Sequence, residues 1–369
     1  MPILDQGYQH WNGTLAGHAG RCLVITRRGV GVQFKNRWVQ WILLAALAPA
    51  LVLAGFLVVW GLFEQKSSLL TPFLFLVQGL PPELRAGPRG FRSTFWTLAF
   101  DQFFQIQLFF SMILVLLVGP ELISQDLRFN AMPLYFSRPV RRIDYFLGKF
   151  GVIAAYLGGV TILPTMLAYA LGIGFSLDPS TLGDTWRVLL GSLVYGVIVV
   201  LSAGTLMLAI SSLSRNSRHV AAVWLGLWIL SNVGANVLEQ TIERPWCPLV
   251  SYTGNLNRIR EALLDTRSAR AQVRGLFQAG ERMGMDAAGS TGFGRRGRRG
   301  GLADASAHPP LSPASPRPGM VGGAVPASGA GEEPGSGYPW PWSALVLLGL
   351  GGGSVWTLST RVRSLDQLR

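Results

Sequence analysis

Residues 38–63 read WVQWILLAALAPALVLAGFLVVWGLF, an uncharged apolar run with tryptophans near both ends. A helix needs about 20 apolar residues to cross the hydrocarbon core of a bilayer, so this run is long enough to span it. Trp38, Trp41 and Trp60 stand where the two membrane interfaces are expected, and Pro49 predicts a kink in the helix. The stretch therefore predicts a membrane span rather than a soluble core helix.

Further apolar runs of this kind follow along the chain. The predicted spans are residues 38–63, 103–123, 145–175, 188–213, 219–238 and 342–360. Residues 95–100 are also apolar, which leaves the start of the second span open, whereas residues 72–80 are too few for a seventh span. Charged residues make up 14% of the chain, about half the share in a soluble domain. We therefore predict an all-α polytopic membrane protein with six transmembrane helices.

The distribution of lysine and arginine predicts the orientation. Cytoplasmic loops are enriched in these residues, whereas long loops are largely exempt from the rule. The basic residues assigned to the inside are Arg21, Arg27, Arg28, Lys35, Arg37, Arg128, Arg138, Arg141, Arg142, Lys149, Arg215, Arg218, Arg361, Arg363 and Arg369. The two shorter outer loops hold fewer. Both termini are therefore expected in the cytoplasm, and the net charge of +13 is attributed to this bias rather than to a nucleic-acid partner.

The segments outside the spans differ in composition. Residues 1–37 form the cytoplasmic N-terminal segment, in which 21–37 mixes apolar and basic residues. That mixture suits an amphipathic helix lying in the membrane interface, although an ordinary basic tail fits it equally well, because Gly29 and Gly31 weaken a helix. Residues 361–369 form a cytoplasmic tail.

The predicted outer loop, residues 239–341, has two parts. Residues 255–283 place apolar side chains at helical spacing among charges and predict an amphipathic helix, on the membrane surface or against the bundle. Residues 284–337 are rich in Gly, Ala, Ser, Pro and Arg and are expected to be disordered. The stretch GFGRRGRRGG at 292–301 is interpreted as a solvated linker rather than an RNA-binding tract.

Motifs for catalysis are absent from the sequence. The Gly148-Lys149 pair is followed by Phe150 and lacks the spacing of a phosphate-binding P-loop, so the chain is not expected to hydrolyse ATP or to bind a cofactor. The histidines are scattered and predict no metal site. Within the spans, Asp101 and Glu121 lie near the ends of the second, and Asn232 and Asn236 are more typical of hydrogen bonds between helices than of a coupling ion. An ion-driven carrier is thus disfavoured.

The loop between the second and third spans carries the strongest functional signal. Residues 119–149 read GPELISQDLRFNAMPLYFSRPVRRIDYFLGK, with mixed charge, an apolar aromatic middle and a proline that disfavours helix at Arg138. This composition predicts a compact structured element at the membrane face. Positive-inside anchoring by Arg138, Arg141 and Arg142 explains the same charges without a partner, and composition does not separate the two.

This loop resembles the corresponding segment of bacterial type-2 ABC transporter permeases. In that family an acidic stretch at the end of the second span leads into a Leu-Ser-Arg-Pro-Val-x-Arg-x-x-Tyr-x-x-Gly-Lys pattern. The matching residues are Ser137, Arg138, Pro139, Val140, Arg142, Tyr145, Gly148 and Lys149, with Phe136 in place of leucine. Six spans, cytoplasmic termini and an amphipathic helix before the first span also match, whereas the long insertion before the sixth span departs from the family.

The resemblance implies the membrane subunit of an ABC exporter in the bacterial inner membrane, coupled to a separate ATPase through residues 124–144. The coupling and docking residues that it implies are Glu121, Asp126, Arg128, Ser137, Arg138, Pro139, Arg141, Arg142 and Asp144. ATP would be used by the partner subunit, and two permeases, identical or different, would work together in the membrane lipid. Gly349 and Gly353 form a GxxxG pair that permits close helix approach within one chain or between two. An ion-gradient-driven carrier and a non-transporting membrane scaffold are the alternative functions.

Overall fold

The structure, a computed structural model, describes residues 17–65, 84, 87–131, 141–176, 178–242, 244, 246–278 and 339–366. Within these residues every regular element is helical. The helices are α1 (His18–Gln33), α2 (Arg37–Glu64), α3 (Arg92–Val118), α4 (Glu121–Arg128), α5 (Arg142–Val160), α6 (Ile162–Ser176), α7 (Ser180–Leu213), α8 (Ser217–Leu225), α9 (Ser231–Ile242), α10 (Tyr252–Leu264), α11 (266–278) and α12 (Trp340–Asp366). The 3₁₀ turns Pro88–Phe91 and Cys247–Val250 precede α3 and α10, and the π-helical turn Gly226–Leu230 joins α8 to α9.

Within the described ranges, six helical segments are long and apolar enough to cross a membrane, which confirms the predicted fold class. They are Arg37–Glu64, Pro88–Arg128, Arg142–Ser176, Ser180–Leu213, Ser217–Ile242 and Trp340–Thr360. Many of their large apolar side chains face outward, as expected for helices in lipid. The chain is an all-α, multi-pass membrane protein.

The second and fourth spans begin earlier than the sequence predicted. Helix α3 starts at Arg92 rather than at 103, and α7 starts at Ser180 rather than at 188. The extra turns contain Arg92, Asp101 and Asp184, which hydropathy counts against a span, but each of these side chains has an ion-pair partner inside the protein. A paired charge does not end a helix, so the hydropathy boundary was misplaced.

The third span is two helices, with a break at Thr161. Pro164 has no backbone N–H and its ring displaces the carbonyl four residues earlier, which is that of Val160. The side chain of Gln107, fully buried on α3, donates to the Val160 carbonyl oxygen at 2.7 Å and replaces the lost bond. The break is therefore stabilised by the second span.

Helix α7 lies at the centre of the bundle and contacts α3, α4, α5, α6, α10 and α12. Helix α2 packs on α3 and α6, while α1 packs on α5. The ends of the spans separate into two groups. One holds Glu64, Arg92 and Asp184 and is called the Arg92 end; the other holds Asp126 and Lys149 and is called the Asp126 end. The sequence assigned the Asp126 end to the cytoplasm.

Helix α10 enters the bundle instead of lying on its surface. A Cβ on Gly191 of α7 would meet the Leu263 carbonyl oxygen at 2.7 Å, and further along α7 the Ser202 hydroxyl lies 3.1 Å from the Tyr252 hydroxyl. The two helices therefore run antiparallel, and the first residue of α10 lies well inside the span of α7. Of the two predicted positions for this amphipathic segment, the structure shows the one against the bundle.

Polar side chains of the fifth span accept hydrogen bonds from the turn that precedes α10 and from the first residues of α10. The Ser251 and Thr253 hydroxyls both donate to the Asn232 side-chain oxygen, Thr253 at 2.7 Å, and the backbone N–H of Tyr252 donates to the Ser231 hydroxyl at 3.3 Å. Irregular backbone at membrane depth is tolerated only where protein supplies such partners. Cys247–Leu264, which we call the re-entrant segment, is therefore built into the bundle, and Asn232 bonds between helices as its sequence context indicated.

Candidate coupling site

Helix α4 continues the second span after a turn at Gly119 and Pro120 and ends at a defined cap. The Ala131 N–H donates to the Asp126 carbonyl oxygen at 2.9 Å, and the Asn130 N–H donates to that of Leu127 at 3.4 Å. Asn130 has a φ of 50°, in the left-handed region. This is the Schellman arrangement, in which asparagine is one of the few alternatives to glycine. The cap fixes where the chain leaves α4 and therefore where Asp126 stands.

The Asp126 carboxylate ties the second span to the third. Its Oδ2 accepts a 2.5 Å hydrogen bond from the Tyr145 hydroxyl and lies 2.7 Å from Lys149 Nζ. The Lys149 ammonium also lies 5.5 Å from the centre of the Tyr145 ring. Tyr145 and Lys149 are one helical turn apart on α5 and so share a face. Tyr145 is buried, whereas Asp126 and Lys149 are partly accessible, so the pair holds the spans together at the edge of water.

Glycines allow α1 to lie very close to α5. A Cβ on Gly148 would meet Ile25 at 2.7 Å, and one on Gly151 would meet the Thr26 hydroxyl oxygen at 2.4 Å. A Cβ on Gly29 of α1 would meet Val152 at 2.5 Å. Gly29, which weakens the predicted α1 helix, is thus required for α1 to pack against α5. The N-terminal helix and the third span therefore pack tightly, with side chains of each helix lying over glycines of the other.

Polar bonds fix the register of α1 on α5. The Thr26 hydroxyl donates to the Gly148 carbonyl oxygen at 2.9 Å, and the Tyr156 hydroxyl donates to that of Val30 at 2.9 Å. The Cys22 thiol approaches the Asp144 carbonyl oxygen at 3.4 Å. Burial and the Asp144 carboxylate both raise the pKa of the Cys22 thiol, so at neutral pH it stays protonated and can donate.

Asp144 also caps its own helix. Its Oδ2 accepts from the Arg141 backbone N–H at 3.3 Å, which satisfies one of the free donors at the start of α5. The buried side chain lies beside Cys22 of α1 as well, with Oδ1 3.9 Å from the sulfur. One carboxylate therefore begins the third span and contacts the N-terminal helix.

Ser211 fastens the end of the fourth span to the second. Its buried hydroxyl donates to the Pro120 carbonyl oxygen at 3.0 Å and accepts from the backbone N–H groups of Ile123 and Ser124 at 3.2 and 3.1 Å. A Cβ on Gly119 would clash with the Met207 side chain, so the absence of a side chain at Gly119 makes room for Met207 of α7. The start of α4 is therefore bonded to α7.

The structure brings together some, but not all, of the residues implied as coupling residues. Asp126 and Asp144 contact α5 and α1, whereas Ser137, Arg138 and Pro139 lie outside the described residues. Of the others, Glu121 starts α4 and is exposed, Arg128 is exposed beside the Phe129 ring, Arg141 is exposed before α5, and Arg142 is half-buried as its first residue.

Several contact residues of this site were not among the predicted ones. Tyr145 and Lys149 belonged to the matching motif, and their spacing of one helical turn was the available signal for a shared partner. Ser211, Cys22 and Thr26 carried no sequence signal, because each acts through neighbours far along the chain.

A buried arginine organises the opposite end of the bundle. Arg92, 1% exposed, pairs with Glu64 of the first span at 2.6 Å and with Asp178 and Asp184 near the start of α7 at 3.2 and 3.1 Å. Its guanidinium also donates to the Ser180 hydroxyl at 3.1 Å. We call Arg92 and these three carboxylates the Arg92 cluster. The cluster joins the first, second and fourth spans through the Arg92 guanidinium.

Asp101 holds the segment that follows the fifth span. Buried in the second span, its carboxylate pairs with Arg260 of α10 at 2.7 Å and with Arg270 of α11 at 2.8 Å. Arg260 is itself 3% exposed, so both charges of that pair are removed from solvent and lipid. Asp101 thus serves to anchor the re-entrant segment, and among the described residues no cluster fit to hold a metal ion is found.

Comparison with known families agrees with this architecture. Residues 38–246, more than half of the chain, match the family described as ABC-2 family transporter protein. The match begins with the first span and ends just before the re-entrant segment. No curated protein matches the chain.

Proposed function

We propose that this chain, which belongs to the ABC-2 transporter family, is the permease of an exporter driven by a separate ATPase docked at the Asp126 end. Membership makes it a permease component of an ABC transporter rather than an enzyme. The observation that carries the proposed coupling is the bonding of Asp126 to Tyr145 and Lys149, which links the end of the second span to the start of the third.

A load applied between residues 124 and 144 would reach most of the bundle through these contacts. Asp126 passes it to α5, and Ser211 connects the start of α4 to α7. Helix α1 follows α5 because Ile25 packs on Gly148 and the Thr26 hydroxyl donates to the Gly148 carbonyl oxygen. Since α3 is one unbroken helix from Arg92 to Val118, movement at one end is transmitted to the other. These links support residues 124–144 as the point where the ATPase acts.

The partner and the sidedness follow from the same proposal. The ATPase would contact Ser137 to Arg142 and the exposed Glu121 and Arg128, and would bind the ATP, while this chain binds no cofactor. In this proposal the chain lies in the bacterial inner membrane with the Asp126 end in the cytoplasm, and the excess of basic residues assigned to that side supports the orientation. The proposed export requires that the ATPase and ATP be on the cytoplasmic side.

The fifth span supports a second permease as the other partner. It is the least buried of the six, and its outward face carries Val233, Asn236 and Val237, all exposed. An amide on a lipid-facing surface lacks hydrogen-bond partners, and asparagine commonly bonds across a helix interface in membranes. We propose that this face contacts a second permease, of the same or a related sequence.

Co-purification and transport measurements test the function. The double variant Arg138→Glu/Arg142→Glu should release the ATPase from the purified complex, because both positions belong to the proposed docking surface. Membrane insertion should stay normal. The matched control is Arg187→Glu, an exposed arginine in the turns of α7 at the other end. If the double variant keeps an active ATPase bound, the docking surface is wrong.

The alternatives give different results in proteoliposomes. An exporter component transports only with a P-loop ATPase and ATP present. Transport by the permease alone in an ion gradient would identify a carrier, and stable binding of a soluble partner without transport in either condition would identify a scaffold.

A further inference from the structure

An apolar cleft of about 360 Å³ lies between the fourth and sixth spans. Its walls include Leu206, Ile210 and Leu213 of α7, and Gly349, Gly353 and Trp356 of α12. The volume is within the range of small-molecule sites, which is roughly 300–1,000 Å³. Both walls are membrane-spanning helices, so the cleft belongs to the part of the molecule surrounded by hydrocarbon.

The cleft opens outward, and its glycines leave backbone bare. Leu213 and Trp356 at its rim are 53% and 67% exposed. A Cβ placed on Gly349 or Gly353 would meet no atom within 4 Å, so neither glycine is needed for the packing of α12 on the rest of the chain. The GxxxG pair therefore faces outward into an apolar space that the described residues do not fill.

Cations lie where the cleft reaches the end of the span. Leu213 is the last residue of α7, the following turn carries Arg215, and the first turn of α8 carries Arg218; both arginines are exposed. No carboxylate of the described residues pairs with either guanidinium. An apolar cleft that ends at basic residues matches the two parts of a phospholipid. The apolar acyl chain of the lipid lies along the membrane normal, and its anionic phosphate lies at the membrane surface.

We propose that this cleft binds one anionic phospholipid, with an acyl chain against Gly349 and Gly353 and the phosphate on Arg215 and Arg218. The occupant is an apolar chain because the lining is apolar and the space opens to lipid. It carries a negative headgroup because the adjacent surface is basic, and basic residues near a membrane surface attract anionic lipids. The site does not depend on the ATPase or on the direction of transport.

Native mass spectrometry of the full chain, with added phosphatidylglycerol or phosphatidylcholine, tests the acyl-chain part. Gly349→Leu and Gly353→Leu fill the cleft and should each lose the retained phosphatidylglycerol. Gly352→Leu is the matched control, because Gly352 is exposed on the same helix, has open space around it and does not line the cleft. Equal retention by all three variants would overturn the site.

The headgroup part is tested with Arg215→Gln/Arg218→Gln. The affinity for phosphatidylglycerol should fall about fivefold for each arginine removed, whereas the weaker affinity for phosphatidylcholine should stay the same. Arg187→Gln is the control. An unchanged preference for phosphatidylglycerol in the double variant contradicts the assignment of the phosphate.

Cross-linking separates the lipid from a second copy of the chain. A cysteine at position 353 should fail to form a disulfide with the same position of another permease in membranes. Efficient cross-linking there would show that a second chain covers the cleft, and the lipid proposal would then be wrong.

Discussion

The two ends of the bundle are held together by different chemistry. At the Arg92 end, a cation that is 1% exposed binds three carboxylates, and Glu64 beside it is also buried. At the Asp126 end, the ion pair of Asp126 and Lys149 keeps 16% and 14% of its side chains exposed. Separating a buried pair leaves charges without water, whereas partly exposed charges are rehydrated as they part.

This difference indicates which end is the fixed one. The Arg92 cluster can be opened only at high cost, so the first, second and fourth spans should stay together there. The Asp126 end combines a water-accessible ion pair with close contacts between α1 and α5. Both can be broken and remade at lower cost. That is the end where the proposed ATPase docks, and the following predictions test the contrast.

The largest effect is expected at the Arg92 cluster. Arg92→Leu leaves Glu64 buried without its partner and should lower the free energy of unfolding by about 3–5 kcal/mol. Steric trapping of the protein in nanodiscs measures this free energy of unfolding. Arg89→Leu is the control, because Arg89 is 71% exposed and lies 3.7 Å from Asp178. A loss below about 1 kcal/mol for Arg92→Leu, the level of a surface pair, would remove the contrast between the ends.

A smaller effect is expected where α1 meets α5. Gly148→Leu forces the two helices apart, and overpacking costs about 1–3 kcal/mol. The same unfolding measurement should register the loss, and proteolysis should cut α1 more readily. Gly159→Leu on the same helix meets open space and should be tolerated. Equal stability of the two variants would show that α1 does not need the close contact.

The next effect concerns the tie between the second and third spans. Asp126→Asn removes the charge that binds Lys149 and weakens the bond from Tyr145, at a cost of about 1–2 kcal/mol. The variant should also lose ATP-dependent transport more than it loses stability, because the link is proposed to transmit movement. Glu239→Gln is the control for loss of a carboxylate, because Glu239 is exposed on α9 and has no part in the proposed coupling. Normal transport by Asp126→Asn would rule out this link as the coupling element.

The smallest effect is expected from pH at the Arg92 end. Hydrogen bonds from the backbone and hydroxyl of Ser180, followed by Arg92, hold the pKa of Asp178 below its usual value. A carboxyl group whose pKa is lowered by folding stabilises the protein above its unfolded pKa of about 3.9, and that stability is lost as pH falls through the folded value.

Thermal unfolding between pH 7 and pH 3 checks this prediction. Asp178→Asn should lower the midpoint slightly at pH 7 and should reduce the difference between neutral and acid pH. Glu239→Gln, at an exposed position of α9, should leave the pH profile as it is. A full acid response in Asp178→Asn would assign that response to other groups.

The spans were predictable because a bilayer demands long apolar runs, and six such runs are visible in the sequence. Their ends were less predictable wherever a charge has a distant partner. Asp101 counts against a span in any local window, yet its partners Arg260 and Arg270 lie far along the chain. Hydropathy therefore left the start of the second span open, and the structure shows a helix that begins at Arg92.

The coupling site shows the same limit. Asp126 and Asp144 were identified through a family resemblance, and the structure places both against other helices. The role of Gly148 in admitting α1 was not visible, because a glycine shows nothing about which backbone approaches it. The predicted helix over 255–283 is interrupted at Asp265, which has a φ of 51°, between α10 and α11. Its periodicity indicated an apolar face without indicating how deeply the face is buried.

The re-entrant segment has a consequence for biogenesis. The Tyr252 N–H and the hydroxyls of Ser251 and Thr253 are polar groups that hydrocarbon cannot satisfy. Their partners, the Ser231 hydroxyl and the Asn232 side-chain oxygen, belong to the fifth span. The charge on Arg260 needs Asp101, which is synthesised much earlier. We therefore expect the re-entrant segment to reach its place only after the second and fifth spans have entered the bilayer.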